Sequence, residues 1–181
     1  MEMNLPNKLT ILRVILIPVF LVVLLSDFIP GPLNRYIAIA IFIIASLTDM
    51  LDGHIARSRN LVTNFGKFMD PLADKLLVSA AMIAMVEMGS LPSWVVIIII
   101  SREFAITGFR ILAIEANKVI AASWWGKIKT TTQMIMIIYL LIGLKGFVFQ
   151  AIGGFLIALA TLFTIISGVD YIVKNIEVLK G

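Results

Sequence analysis

The sequence predicts an all-α integral membrane protein built from six transmembrane helices. Three observations predict it. The 181 residues are 60% hydrophobic and 14% charged, with a mean hydropathy of +1.04, whereas a soluble domain carries roughly 25% charged residues. Apolar stretches recur along the chain, each near the roughly 20 residues that a bilayer core requires. Lysine and arginine gather at alternate ends of these stretches, as in a polytopic chain with one positive face. The chain has no cysteine, which excludes disulfides and thiolate-bound metal. Its net charge of +4 is modest, and no nucleic-acid partner is expected.

The first helix is expected over about 8–28. Lys8 and Arg13 precede its apolar run, but no small-residue cleavage site follows, so it reads as a retained span. Pro30-Gly31-Pro32 breaks the chain, and the second and third helices are expected over about 34–58 and 62–88. Gly89-Ser90-Leu91-Pro92 reads as a turn, after which a fourth helix runs to about 115. The fifth covers about 125–144, Gly143 to Gly146 marks the next turn, and the sixth covers about 148–174. With no internal repeat, residues 1–181 are read as a single domain.

Orientation follows from the cations. Arg35 and Lys145 fall on one side and Arg102 within the fourth helix, while the rest of the 15 lysines and arginines fall on the other side. Both termini and the connections after the second and fourth helices are therefore expected to face the cytoplasm.

One of those connections carries the most informative run in the chain. Asp49-x-x-Asp52-Gly53-x-x-Ala56-Arg57 is followed by eight residues and then Gly66-x-x-x-Asp70-x-x-x-Asp74. Ionisable groups beside a bilayer are expensive and usually mark function. On a helix, Asp49, Asp52, Gly53 and Ala56 fall at i, i+3, i+4 and i+7, and Gly66, Asp70 and Asp74 at i, i+4 and i+8, one face in each case. Two such faces can converge four carboxylates. Hard divalent cations take oxygen ligands of this kind, and four carboxylates suit two metals roughly 3.5–4 Å apart better than one. Gly53 and Ala56 leave room for a neighbouring helix or a flat ligand. Arg57 is placed to contact a phosphate, or else to anchor the helix at the positive face.

The run resembles, at every defined position, the signature of the CDP-alcohol phosphotransferase family. Asn4-Leu5-Pro6-Asn7-Lys8-Leu9-Thr10-x-x-Arg13, Asp70-Pro71-Leu72-Ala73-Asp74-Lys75, Ser101-Arg102-Glu103-Phe104 and Gly126-Lys127-x-Lys129-Thr130 are similar to its bacterial phosphatidylglycerophosphate synthase branch. The resemblance implies a six-helix membrane enzyme with a cytoplasm-facing polar cavity, usually a homodimer. It implies that Asp49, Asp52, Asp70 and Asp74 bind two divalent metal ions, Mg²⁺ or Mn²⁺, and that Gly53, Ala56, Arg57 and Gly66 hold the CDP portion of CDP-diacylglycerol. Asp74 is implied as the general base. The reaction implied passes a phosphatidyl group to glycerol 3-phosphate and releases CMP, in the bacterial cytoplasmic membrane.

Arg102, Arg110, Lys127 and Lys129 form a second polar set. Arg102 follows an isoleucine run inside an apolar helix, where an unpaired guanidinium is costly. Glu103, adjacent in sequence, is expected to point elsewhere and to be a poor partner. Arg102 and Arg110 lie eight residues apart and can share a face. Converging cations suit a dianionic phosphate, and snorkelling to the interface is the alternative for the two lysines. By the resemblance this set, with Thr10, binds the acceptor phosphate, and Asn7 lines the same cavity. His54 is expected to be interfacial, and Asp170 to cap, pair or serve a dimer contact. Trp94, Trp124 and Trp125 are expected in interfacial belts. The signature alone leaves open another acceptor (phosphatidylglycerol, inositol phosphate or serine) and, in a different class, a divalent-cation transporter.

Overall fold

The computed structural model describes residues 5–26, 32–58, 63–115 and 123–176, with side chains for all of these but 5–6, 49–58, 64–65, 67–68, 70–71 and 114–115. All regular structure among them is helical: α1 Leu5–Leu25, α2 Leu33–Ser58, α3 Asn64–Glu87, α4 Ser93–Glu115, α5 Trp124–Ile142 and α6 Phe147–Lys174. The expected boundaries hold to within a few residues. α1 begins earlier than expected because Pro6 falls in its first turn, where a missing N–H costs nothing. α5 stops at Ile142 because Gly143 takes the left-handed conformation at φ 64°, and Gly89 does the same at φ 70° after α3.

Among the described residues two helical stretches, Asn7–Leu25 and Phe147–Lys174, are long and apolar enough to cross a membrane. On α2 the described side chains form an apolar stretch over Leu33–Thr48. α3 carries Lys67, Asp70, Asp74 and Lys75, α4 carries Arg102, Glu103 and Arg110, and α5 carries Lys127, Lys129 and Gln133.

The chain forms two compact units, Met1–Met88 and Gly89–Gly181. In the first, α1 packs against both α2 and α3, which touch each other far less. The buried seam of α1 runs Thr10, Arg13, Ile17, Phe20 and Leu24, alternating three- and four-residue steps on one face. It is polar toward the N-terminus and apolar beyond. Ala38, Phe42 and Ala45 of α2 and the Ala73, Leu77, Ala81 stripe of α3 are buried as well, and the Phe20 and Phe42 rings lie 5.9 Å apart. Small residues on α2 and α3 let the backbones approach.

In the second unit α6 is the central element, packed against α4 and α5. Its buried face is Gly153, Ala160, Thr161, Thr164, Ser167 and Tyr171. The hydroxyls of Thr161, Thr164 and Ser167 donate to carbonyls of their own helix, at 2.7, 2.7 and 3.0 Å, so they are buried satisfied. The matching seam of α4 is Val95, Ile99, Arg102, Ile106, Phe109 and Ala113, all but Arg102 apolar. Large apolar side chains on the opposite faces are exposed, among them Phe104, Phe147 and Phe155 at 72%, 85% and 64%. Exposed apolar surface on this scale belongs against lipid or another chain. Trp94 and Trp124 are exposed as interfacial rings would be, whereas Trp125 packs against Phe163 with ring centroids 6.1 Å apart.

Candidate functional site

The backbone places Asp49, Asp52, Gly53, Ala56 and Arg57 in the last turns of α2, and Gly66, Asp70 and Asp74 in the first turns of α3. Helical register thus sets each group along one face of its helix. The side chains of Asp49, Asp52, His54, Ala56, Arg57 and Asp70 lie outside the described residues. Asp74 is exposed, and Gly66 is buried.

α1 braces both acidic helices. The Arg13 side chain is fully buried, and its Nε–H donates to the carbonyl of Ala45 at 3.2 Å. That carbonyl is the one whose α-helical partner is the amide of Asp49. Thr48 also donates to it, at 2.7 Å. On the other helix, Thr63 is the N-cap of α3: its hydroxyl accepts from the Gly66 N–H at 3.0 Å and donates to Asn7 Oδ1 at 2.8 Å. Thr10, between Asn7 and Arg13 on the same seam, is fully buried. Arg13 reads from sequence as a positive-face anchor; the structure makes it an interior strut. The three- and four-residue spacing of Thr10, Arg13 and Ile17 is the signal that could have shown this.

The second unit gathers the cations, though not as one equivalent set. Arg102 Nη1 donates to Glu103 Oε1 at 3.2 Å, and the ammonium of Lys129 pairs with the same oxygen. The expectation that Glu103 is a poor partner for Arg102 is therefore corrected. Both side chains are long enough to curl back from adjacent positions, and Lys129 on α5 draws the carboxylate to their side. Arg102 is mostly buried, at 14% side-chain exposure, and Lys129 is at 4%, so Lys129 does not snorkel. Gly168 of α6 leaves room for the Arg102 stem, since a Cβ added there would stand 3.2 Å from Cγ, whereas one at Gly126 of α5 would make an ordinary contact, 3.8 Å from Nη2. Arg102 Nε is buried without a hydrogen-bond acceptor.

Arg110 is exposed. Its Nε–H donates to the Tyr171 hydroxyl at 3.4 Å, and its guanidinium lies 5.8 Å from the centre of that ring. Tyr171 is itself buried, edge-on to Phe109 at 5.9 Å. Arg102 and Arg110 thus both lean on α6, at Gly168 and Tyr171, and share a face as expected. Lys127 is exposed, its ammonium 5.6 Å from the Trp124 ring centre, as an interfacial cation would be. Asp170 pairs with Lys174 at 2.6 Å, one turn on. Sequence reasoning missed Tyr171 and Gly168, whose positions on the buried face of α6 were legible only once that face was known.

The donor set on α2 and α3 consists of carboxylates alone, the ligand chemistry of a hard divalent cation. The set on α4 and α5 has two cations sharing one carboxylate, with Arg110 and Lys127 beyond it, so it carries positive charge suited to an anion.

Comparison with known proteins identifies the family. The family model described as CDP-alcohol phosphatidyltransferase matches residues 3–166. A Bacillus subtilis protein named CDP-diacylglycerol–glycerol-3-phosphate 3-phosphatidyltransferase is 47% identical, over 98% of this chain and 97% of its own length. A Mycobacterium tuberculosis protein named probable phosphatidylglycerophosphate synthase is 40% identical, over 98% of this chain and 84% of its own. A Haemophilus influenzae protein with the same name as the Bacillus relative is 39% identical, over 100% and 96%. The match runs through the acidic run on α2 and α3 and the cations of α4 and α5 alike, and the chain belongs to the CDP-alcohol phosphatidyltransferase family.

Proposed function

We propose that this chain transfers the phosphatidyl group of CDP-diacylglycerol to glycerol 3-phosphate, forming phosphatidylglycerol phosphate and releasing CMP. The observation that carries the reading is similarity to proteins of that name along nearly the whole chain, including the α4 and α5 motifs that the signature does not contain. The same observation favours this acceptor over another alcohol, and a transferase over a cation transporter.

In this reading Asp49, Asp52, Asp70 and Asp74 hold two divalent ions, Mg²⁺ or Mn²⁺. Their all-oxygen, tetra-anionic character supports it, since packed carboxylates without cations repel one another. When bound, the ions neutralise the pyrophosphate and the charge that builds on the transferred phosphoryl group. Gly53, Ala56 and Gly66, lacking bulk, admit the nucleotide, and Arg57 donates to its phosphates. Asp74, exposed at the third turn of α3, accepts the proton of the attacking glycerol hydroxyl. That oxygen forms a bond to the phosphorus bearing diacylglycerol, and the bond from that phosphorus to the CMP oxygen breaks. Arg110, Lys127, Lys129, Arg102 and Thr10 serve the acceptor phosphate, with Arg110 presenting an accessible fork and Arg102 and Lys129 a fixed positive background.

The same reading makes residues 1–181 one functional domain, supported by a family match that crosses both compact units. It makes all six helices membrane spans around a cytoplasm-facing polar cavity, with both termini and the active site on the cytoplasmic side of a bacterial cell membrane. Lysine and arginine asymmetry supports that orientation. A homodimer follows from the family resemblance. The test gives purified protein CDP-diacylglycerol, Mg²⁺ or Mn²⁺ and a panel of alcohols, and measures CMP release. Turnover with glycerol 3-phosphate is the expected result, and turnover with none of the alcohols would overturn the reading.

A further inference from the structure

We propose that the polar end of α1 sets the spacing between the two carboxylate-bearing helices, with Asn7, Thr63 and Arg13 as the positioning residues. The proposal rests on the reading of the α2 and α3 aspartates as a metal site. The packing is asymmetric in a way that requires such a device. α2 and α3 each pack on α1 and only slightly on each other. Their relative placement is therefore set through α1, and at the acidic end α1 offers polar groups rather than apolar bulk.

Each polar group reaches a point that controls a carboxylate-bearing turn. Arg13 holds the carbonyl of Ala45, one turn before Asp49. Asn7 receives the hydroxyl of Thr63, whose oxygen in turn caps the first turn of α3 at Gly66, one turn before Asp70. Both struts start from the same seam of α1, two turns apart, and both side chains are buried, Arg13 at 0% and Asn7 at 9% exposure. Hydrogen bonds of fixed length hold a spacing more sharply than apolar contact, which slides at little cost. Ligands for a metal pair need that sharpness, because a hard dication tolerates little error in ligand distance.

The absence of cysteine allows a direct measurement. Spin labels at Leu47→Cys on α2 and Leu76→Cys on α3, both half-exposed positions, report the distance between the helices. Mn²⁺ binding is read separately by the loss of free-ion signal on titration. Asn7→Ala, which keeps the Thr63 cap, and Arg13→Met are each expected to shift or broaden the distance distribution. Each should also weaken Mn²⁺ binding by roughly 10-fold, as loss of an outer-shell partner does. Thr63→Val, which also removes the cap, should shift both readouts at least as far as Asn7→Ala, and Thr63→Ser should leave both as in the parent. An unchanged distance in Asn7→Ala and Arg13→Met overturns the proposal. A shifted distance with unchanged Mn²⁺ affinity overturns its link to the metal site. Should the parent protein bind no Mn²⁺, the metal reading itself fails, while the distances still decide whether α1 sets the spacing.

Discussion

Removing the carboxylate of Glu103 should be more damaging than removing it together with Lys129. The Lys129 side chain is 4% exposed, and its ammonium pairs with Glu103 Oε1, which also accepts from Arg102 at 3.2 Å. Depriving a buried cation of its counter-charge costs about 3–5 kcal/mol. Glu103 is 26% exposed, so water screens part of that, and about 2–3 kcal/mol is the reasonable expectation for Glu103→Ala. Glu103→Gln keeps the acceptor oxygen and loses only the charge-assisted part of two hydrogen bonds, about 1–2 kcal/mol. Lys129→Met with Glu103→Ala removes both members of the pair, and the double change should cost less than the two single changes added together. The assay is reversible unfolding in mixed detergent micelles, read as a double-mutant cycle. A coupling of about 2 kcal/mol is expected, and additivity to within about 0.5 kcal/mol would refute the carboxylate's role as the hub of this cluster.

Asp74→Asn should abolish CMP release while leaving unfolding in micelles unchanged; near-normal turnover would remove Asp74 from the role of base. Arg110→Ala should raise the KM for glycerol 3-phosphate roughly 10-fold or more, the loss of one charge-assisted contact of about 1.5 kcal/mol or above, with little effect on that for CDP-diacylglycerol; equal effects on both substrates would argue against an acceptor-side role. Gly168→Ala should destabilise by about 1 kcal/mol, because its new Cβ would stand 3.2 Å from Arg102 Cγ; a neutral result in the same unfolding assay would mean that Arg102 has room to move.

The helices and the acidic run were legible in the sequence because their signals are local. Apolar length, Gly and Pro at the breaks, and three- or four-residue spacing of aspartates all lie within one element, and α2 and α3 carry them where expected. The residues that escaped depend on which helix faces which. Arg13 looks like an anchor until Ala45 is seen beside it, and Glu103 looks like a poor partner for its neighbour until Lys129 arrives from α5. Tyr171 becomes relevant only when α6 is known to be packed on α4. The lysines show the limit most plainly: two residues apart and chemically identical, Lys127 is exposed over Trp124 while Lys129 is buried.

The placement of α1 and α6 as the central elements of their units bears on how the protein is made. The first unit has its organising helix at the start of the chain, so it can close as soon as residues up to Met88 have left the ribosome. The second has its organising helix last. α4 and α5 emerge carrying Arg102, Glu103 and Lys129 and must wait for Gly168 and the small, hydroxyl-lined face of α6 before they have their principal partner. A chain cut short before Phe147 would therefore keep the first unit and its brace intact, and leave α4 and α5 without their principal partner.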